Sequence, residues 1–292
     1  MEKRVVGVIG GSGVYALDAI EGAEKIRIEG PWGPPSGPIV RGRMNGVEVA
    51  FLARHGEGHR IPPSEVNYRA NIDALKRAGV TDVISLSACG SFREALAPGA
   101  FVIVDQFIDR TDGRAKSFFG TGCVAHVSMA EPVCPALGDA IEASCRALTI
   151  PHKRGGTYLC INGPQFSSRA ESLLYKSWGC DVIGMTNMPE AKLAREAELP
   201  FACVAMVTDY DCWRVETDHV EVAGILAIMK SNSETARRLV ADLVKRLGPA
   251  RTRSPLGVET TLDFAIITPP EARDAALVAK LDAVAGRALK GR

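Results

Sequence analysis

The chain has 292 residues, enough for one large α/β domain or two smaller ones, and its 46% hydrophobic content is that of an ordinary globular protein. Lys plus Arg number 35 against 34 Asp plus Glu, so the net charge of +1 excludes a global field for nucleic acid or an anionic membrane and leaves any anion site to local groups. The N-terminal apolar stretch is too short for a signal peptide, no apolar run reaches about 18 residues, and the eight cysteines show no C-x-x-C spacing, which predicts a soluble, cytoplasmic protein with buried thiols and no zinc ribbon.

Val5–Ile9 reads as a buried strand emptying into Gly10-Gly11-Ser12-Gly13, a turn whose amides and Ser12 hydroxyl can cradle an anion. Gly11-x-Gly13-x-x-Ala16, with Glu29 further on, also fits a dinucleotide fingerprint, although Val14–Gly22 is short for the crossover helix it needs. Residues 31–38 are loop, rich in proline and glycine. Val47–Leu52 alternates as a strand and delivers Arg54 and His55, suited either to phosphate oxygens or to a solvated basic loop. His55 and His59 lack a helix and an acidic partner pattern, so no metal site is expected.

A helix is expected from Pro63, capped by Ser64, with Tyr68, Ile72 and Leu75 on its apolar face. Strands follow at Val80–Leu86, ending in Ser87-Ala88-Cys89-Gly90-Ser91, and at Phe101–Val104; Asp105–Ala125 reads as a long polar loop. Cys134–Leu148 is a core helix, and Thr157–Ile161 a strand leading to Phe166 and a hydroxyl pair that caps the next helix. Asp181–Thr186 is a short strand ending in Met185-Thr186, and Pro189–Glu198 a helix.

Phe201–Thr208 is an eight-residue apolar run that ends in Asp209-Tyr210-Asp211. Carboxylates at i and i+2 of extended chain point to one side and can converge on one object; the alternative is a turn with capping Asp side chains. A long helix opening near Thr217 or Asp218 brings Val222 and Ile225 close to the acids, Pro249–Glu259 reads as linker, and an amphipathic helix from about Pro270 to Leu289 ends the chain. A unit over 1–248 with a tail over 249–292 is expected.

Ligands of open α/β sheets bind beyond the strand ends. Ser12, Arg54, His55, Ser87 and Thr186 suit a small oxyanion, and Asp209 with Asp211 suits a base with donor and acceptor edges, which together point to phosphate attacking a nucleoside.

The motifs Ile9-Gly10-Gly11-Ser12-Gly13, Arg54-His55-Gly56, Ser87-Ala88-Cys89-Gly90-Ser91, Met129-Ala130-Glu131-Pro132, Gly163–Glu171, Gly184-Met185-Thr186 and Thr208–Trp213 resemble those of the 5'-methylthioadenosine phosphorylases, in the trimeric branch of the purine nucleoside phosphorylases. The resemblance covers roughly residues 5–247 and implies a single α/β domain with a mixed central sheet flanked by helices. It implies that Ser12, Arg54, His55, Ser87, Ala88 and Thr186 hold phosphate. Phe166, Met185 and Ile183 would hold the nucleoside, Val222 and Ile225 its 5'-methylthio group, and Asp209 and Asp211 would act on the base. His126, with Ile267, would reach the site from a neighbouring subunit of a homotrimer. Inorganic phosphate is then a co-substrate, with no cofactor and no metal, and the reaction serves purine and methionine salvage. Ser12 and Ser87 stand where threonines are usual, which preserves both hydroxyls. The competing readings are a 6-oxopurine nucleoside or methylthioinosine phosphorylase, a hydrolytic nucleosidase, and a non-catalytic dinucleotide-binding protein.

Overall fold

The computed structural model describes residues 2–11, 20–214 and 222–290. Its centre is one long strand, β5 (Asp82–Ser91), bordered by β1 (Val5–Gly10) and β11 (Phe201–Asp209), both parallel to it. Beyond β1 lie β4 (Val47–Ala53), in parallel, and then β3 (Ile39–Met44) and β2 (Glu21–Ile26), antiparallel. Beyond β11 lie β6 (Phe101–Val104), antiparallel, and β8 (His152–Arg154), parallel to β6. The far end of β5 also pairs antiparallel with β10 (Val182–Gly184), which continues the sheet through β9 (Thr157–Cys160) and β7 (Gln106–Asp109). β5 thus has different neighbours along its length, and the C-terminal ends of β4, β5, β10 and β11 meet around one cavity.

The apolar run in β11 is explained by cover on both faces. Phe201, Cys203, Ala205 and Val207 enter one core with α1 (Tyr68–Arg77) and α4 (Asn187–Glu196); Ala202, Val204 and Met206 enter the other with α2 (Pro135–Ala147) and α5 (Val222–Leu247). A strand buried on both sides has no polar face to alternate. All eight cysteines are free thiols, seven of them buried.

Several expected elements differ. The first helix starts at Tyr68 rather than at Ser64, because Asn67 supplies the cap, its Oδ1 accepting from the Ala70 amide at 3.1 Å. The stretch read as a polar loop after Val104 contains β7, half-buried along its length and without alternation. The exposed hairpin partner β2 carries no apolar signal either. The C-terminal helix is broken into α6 (Ala275–Lys280) and α7 (Gly286–Lys290), whose connection sends Leu281, Val284 and Ala285 into the core beside α1. The stretch read as linker is tied to the N-terminus, where the Arg4 amide donates to the Pro249 carbonyl at 2.8 Å. The expected hydroxyl cap after β9 is present as a capping box between Ser168 and Glu171 that opens α3 (Arg169–Ser177).

The dinucleotide reading fails on topology. The chain re-enters the described structure at Ile20 and runs into β2, which pairs antiparallel with β3, so the parallel β–helix–β unit that the fingerprint requires does not follow Gly11 among the described residues.

Candidate active site

A cavity at the gathered strand ends is lined by Arg54, His55, Ser87, Ala88, Phe166, Ile183, Met185, Thr186, Asp209 and Asp211, with Gly11, Thr208 and Asn232 among their neighbours. Ser12 lies outside the described residues, as do the side chains of Val222 and Ile225. His126 does not line this cavity. It stands on an exposed segment whose backbone pairs with 265–267: the His126 amide donates to Ala265 at 2.9 Å and the Ile267 amide to Val124 at 2.9 Å, so His126 and Ile267 are close neighbours.

The acids occupy one end. β11 slips register against β5 between Val207 and Asp209, and this bulge turns the Asp209 carboxyl into the cavity. Its Oδ2 accepts from the Thr208 hydroxyl at 2.7 Å and its Oδ1 from the Asp211 amide at 2.8 Å. The expected route to convergence, two residues of extended chain, is not the one used: Asp211 has left the strand and adopts a left-handed φ of +52° at the head of a 3-10 turn. That conformation is uncommon for a residue with a Cβ, and here it is held by the Ser172 hydroxyl of α3, which donates to Asp211 Oδ2, and by the Asp209–amide bond. Burial raises the pKa of both carboxyls above the ordinary value, against the hydrogen bonds each accepts, and the Asp209 charge pushes Asp211 up further. Gly90 of β5 lies directly beneath: a Cβ there would stand 2.9 Å from Asp209 Oδ1 and 3.3 Å from Asp211 Cβ.

Hydroxyls and bases occupy the other end. Ser87 Oγ lies 3.3 Å from Thr186 Oγ1 and 2.9 Å from the hydroxyl of Tyr158. Arg54 is 1% exposed, and its bidentate edge is spent inside the protein: Nε donates to Glu190 Oε2 at 2.8 Å and Nη2 to Glu190 Oε1 at 2.9 Å. The fork expected to grip an anion therefore grips a carboxylate of α4, and Arg54 lines the cavity as half of an ion pair. His55 donates Nδ1–H to the Ile61 carbonyl at 2.8 Å. Burial, and then the neighbouring Arg54 charge, lower the His55 pKa to about 4, so the ring is neutral at pH 7 and its Nε2 is an acceptor. An acceptor at that point complements an oxyanion that still carries a proton.

Four contributors carried little or no signal in the chain. Glu190 lies in the first turn of a helix, where an acid also reads as a partner of the helix dipole. Ser172 and Tyr158 act through tertiary contacts alone. Asn232 did leave a trace, since it sits on the apolar stripe of α5 between Met229 and Ala236; it is buried and its Nδ2 donates to the Val207 carbonyl at 2.9 Å, bracing the bulge. Among the described residues no cluster of His, Cys, Asp and Glu is arranged to hold a metal ion.

The pattern of the phosphorylase superfamily matches residues 5–245. The chain is 61% identical over 289 residues to an S-methyl-5'-thioadenosine phosphorylase of Cereibacter sphaeroides, covering 99% of this chain and 100% of that one. It is 58% identical over 287 residues to the protein of the same name from Rhodospirillum rubrum, covering 98% of each. A methylthioadenosine phosphorylase from an antarctic soil metagenomic library superposes with a TM-score of 0.91 at 44% identity, covering 97% of this chain and 99% of that one. A Schistosoma mansoni methylthioadenosine phosphorylase in complex with adenine superposes with a TM-score of 0.84 at 35% identity, covering 93% of this chain and 99% of that one.

Proposed function

From a chain that belongs to the phosphorylase superfamily, and within it to the S-methyl-5'-thioadenosine phosphorylases, we infer an enzyme that splits S-methyl-5'-thioadenosine with inorganic phosphate into adenine and 5-methylthioribose 1-phosphate. The observation that carries this reading is one cavity with a raised-pKa acid pair at one end and a hydroxyl–His–Arg cluster at the other.

A phosphate oxygen attacks C1' as the C1'–N9 bond breaks and its electron pair moves into the adenine. Adenine leaves poorly as an anion, and Asp209, our choice of general acid, delivers a proton to N7 so that it leaves neutral. Asp211 reads the base edge, and the Asp209 charge, which pushes the Asp211 carboxyl up, disfavours ionisation of both together. The neutral His55 Nε2 accepts a hydrogen bond from the monoprotonated phosphate, which releases that proton to solvent on becoming an ester while Asp209 takes one back from solvent, so the protons balance. Ser87 and Thr186, joined by Ser12, orient the anion, Ala88 closes on it, and Arg54 holds the sheet-side wall. Phe166, 65% exposed at the mouth, is free to stack on the base, with Met185 and Ile183 beneath the nucleoside; Val222 and Ile225, whose side chains lie outside the described residues, are assigned its 5' end by the family resemblance alone.

No cofactor is required beyond the co-substrate. Residues 1–248 form the catalytic unit and 249–292 a tail that serves it. The active assembly is a homotrimer in which His126 and Ile267 complete a neighbour's site; their shared surface, where Ile267 is 61% and Phe264 91% exposed, supports this. The free thiols support a cytoplasmic location, and among the described residues no helix is long and apolar enough to cross a membrane.

Incubation with methylthioadenosine, adenosine or inosine, with and without phosphate, tests the reaction: adenine is expected from methylthioadenosine only when phosphate is present. Release without phosphate means hydrolysis, and inosine turned over in preference means a 6-oxopurine enzyme. Gly90→Ala provides a second check. Its methyl displaces the acid pair by a fraction of an ångström, and kcat is expected to fall by about tenfold or more while the phosphate KM changes little. Unchanged kcat would remove Gly90, and the tight seat of the acids, from the account.

A further inference from the structure

Arg114 is a buried cation that has no anionic partner among the described residues. It lies in the segment after β7, is 9% exposed, and its Nη1 donates to the Met185 carbonyl at 2.8 Å, the Met188 carbonyl at 2.6 Å and the Tyr68 hydroxyl at 3.1 Å. Nη2 donates to the Asn162 carbonyl at 2.9 Å, and the guanidinium carbon sits 5.2 Å from the centre of the Tyr68 ring. Nε is buried with no partner. Among the described residues no carboxylate pairs with Arg114, although twelve other arginines form ion pairs, including the fully buried Arg54. Burying a charge among neutral dipoles alone is costly and normally avoided.

The position of this charge accounts for it. Met185, whose carbonyl it holds, is a wall of the cavity, and the next residue, Thr186, is one of the hydroxyls at the anion end. At that end the Arg54 charge is already matched by Glu190 and His55 is neutral. The groups touching the cavity there offer hydrogen bonds but little net positive charge, whereas the expected occupant is a dianion.

We propose that Arg114 is a positioning residue for phosphate: from behind the Met185–Thr186 wall its unmatched charge supplies the counterpart of the bound dianion, without touching it. This rests on the phosphorolytic reading above. The same guanidinium also ties Asn162, at the end of β9, to Met185, so a mechanical role must be separated from an electrostatic one. Arg114→Gln removes the charge and keeps some hydrogen bonding, while Arg114→Lys keeps the charge and loses the fork.

Steady-state kinetics with each substrate varied gives the test. Arg114→Gln is expected to raise the phosphate KM by about tenfold or more and to leave the methylthioadenosine KM within about threefold, while Arg114→Lys keeps both within about threefold of wild type. An Arg114→Lys enzyme whose phosphate KM rises tenfold would overturn the proposal, and this holds even if Arg114→Gln does not fold. An unchanged phosphate KM in Arg114→Gln would overturn it equally. A wild-type enzyme that releases adenine without phosphate overturns the phosphorolytic reading itself, a result distinct from either variant's failure.

Discussion

Asp209→Asn is expected to lose methylthioadenosine turnover by about 10²–10⁴-fold, the range typical of removing a positioned general acid, and to gain measurable inosine turnover. Adenine presents an acceptor at N7 and an amino donor at C6, so a protonated and an ionised carboxyl complement it. A 6-oxopurine presents two acceptors and would face an ionised oxygen with no proton between. The amide of an asparagine donates to N7 without transferring a proton, which removes the acid and relieves that repulsion. The pH dependence has a definite sign. Asp209 works in its protonated form, and burial raises its pKa above the usual carboxylate value, so wild-type turnover at saturating phosphate falls as pH climbs past that raised value. The variant is expected to lose this limb. Steady-state kinetics on both nucleosides between pH 5 and about 9 decides the matter, and retention of the limb in Asp209→Asn would move the acid role to Asp211.

The acid pair was legible because an apolar run ending in two carboxylates is an odd place for solvated charge, and the structure puts both acids in the cavity. How they converge was not legible. A bulge at the end of β11 and a left-handed Asp211 depend on β5, α3 and Asn232, which lie far away in sequence. The sheet shows the same division: β5, β6, β9 and β11 were visible from buried apolar runs, whereas β2 is exposed almost throughout and has no pattern to find. Arg54 illustrates the limit at a single residue. Its position after a strand marked it for the cavity, but the carboxylate that takes its fork comes 136 residues later.

That pairing leads to the largest expected effect on stability. Glu190 is 1% exposed, and its carboxylate accepts from Arg54 Nε at 2.8 Å and Nη2 at 2.9 Å and from the Ser85 hydroxyl at 2.7 Å. Glu190→Ala leaves the Arg54 guanidinium buried beside a void, and breaking a buried pair from one side costs about 3–5 kcal/mol. For a chain of this size that is a fall in Tm of about 6–20 °C. The double variant Arg54→Met/Glu190→Leu removes both charges and refills the space, and it is expected to recover most of the loss, because the desolvation of two ions roughly offsets their attraction. Denaturant or thermal unfolding of the four proteins in the cycle measures the coupling, and a Glu190→Ala protein as stable as wild type would refute it. The double variant should nevertheless be defective in phosphate use. If apolar residues can hold this part of the fold equally well, the ion pair is retained for what it positions: a guanidinium plane locked between the ends of β4 and β5 at the edge of the anion pocket, with its charge already balanced before phosphate arrives.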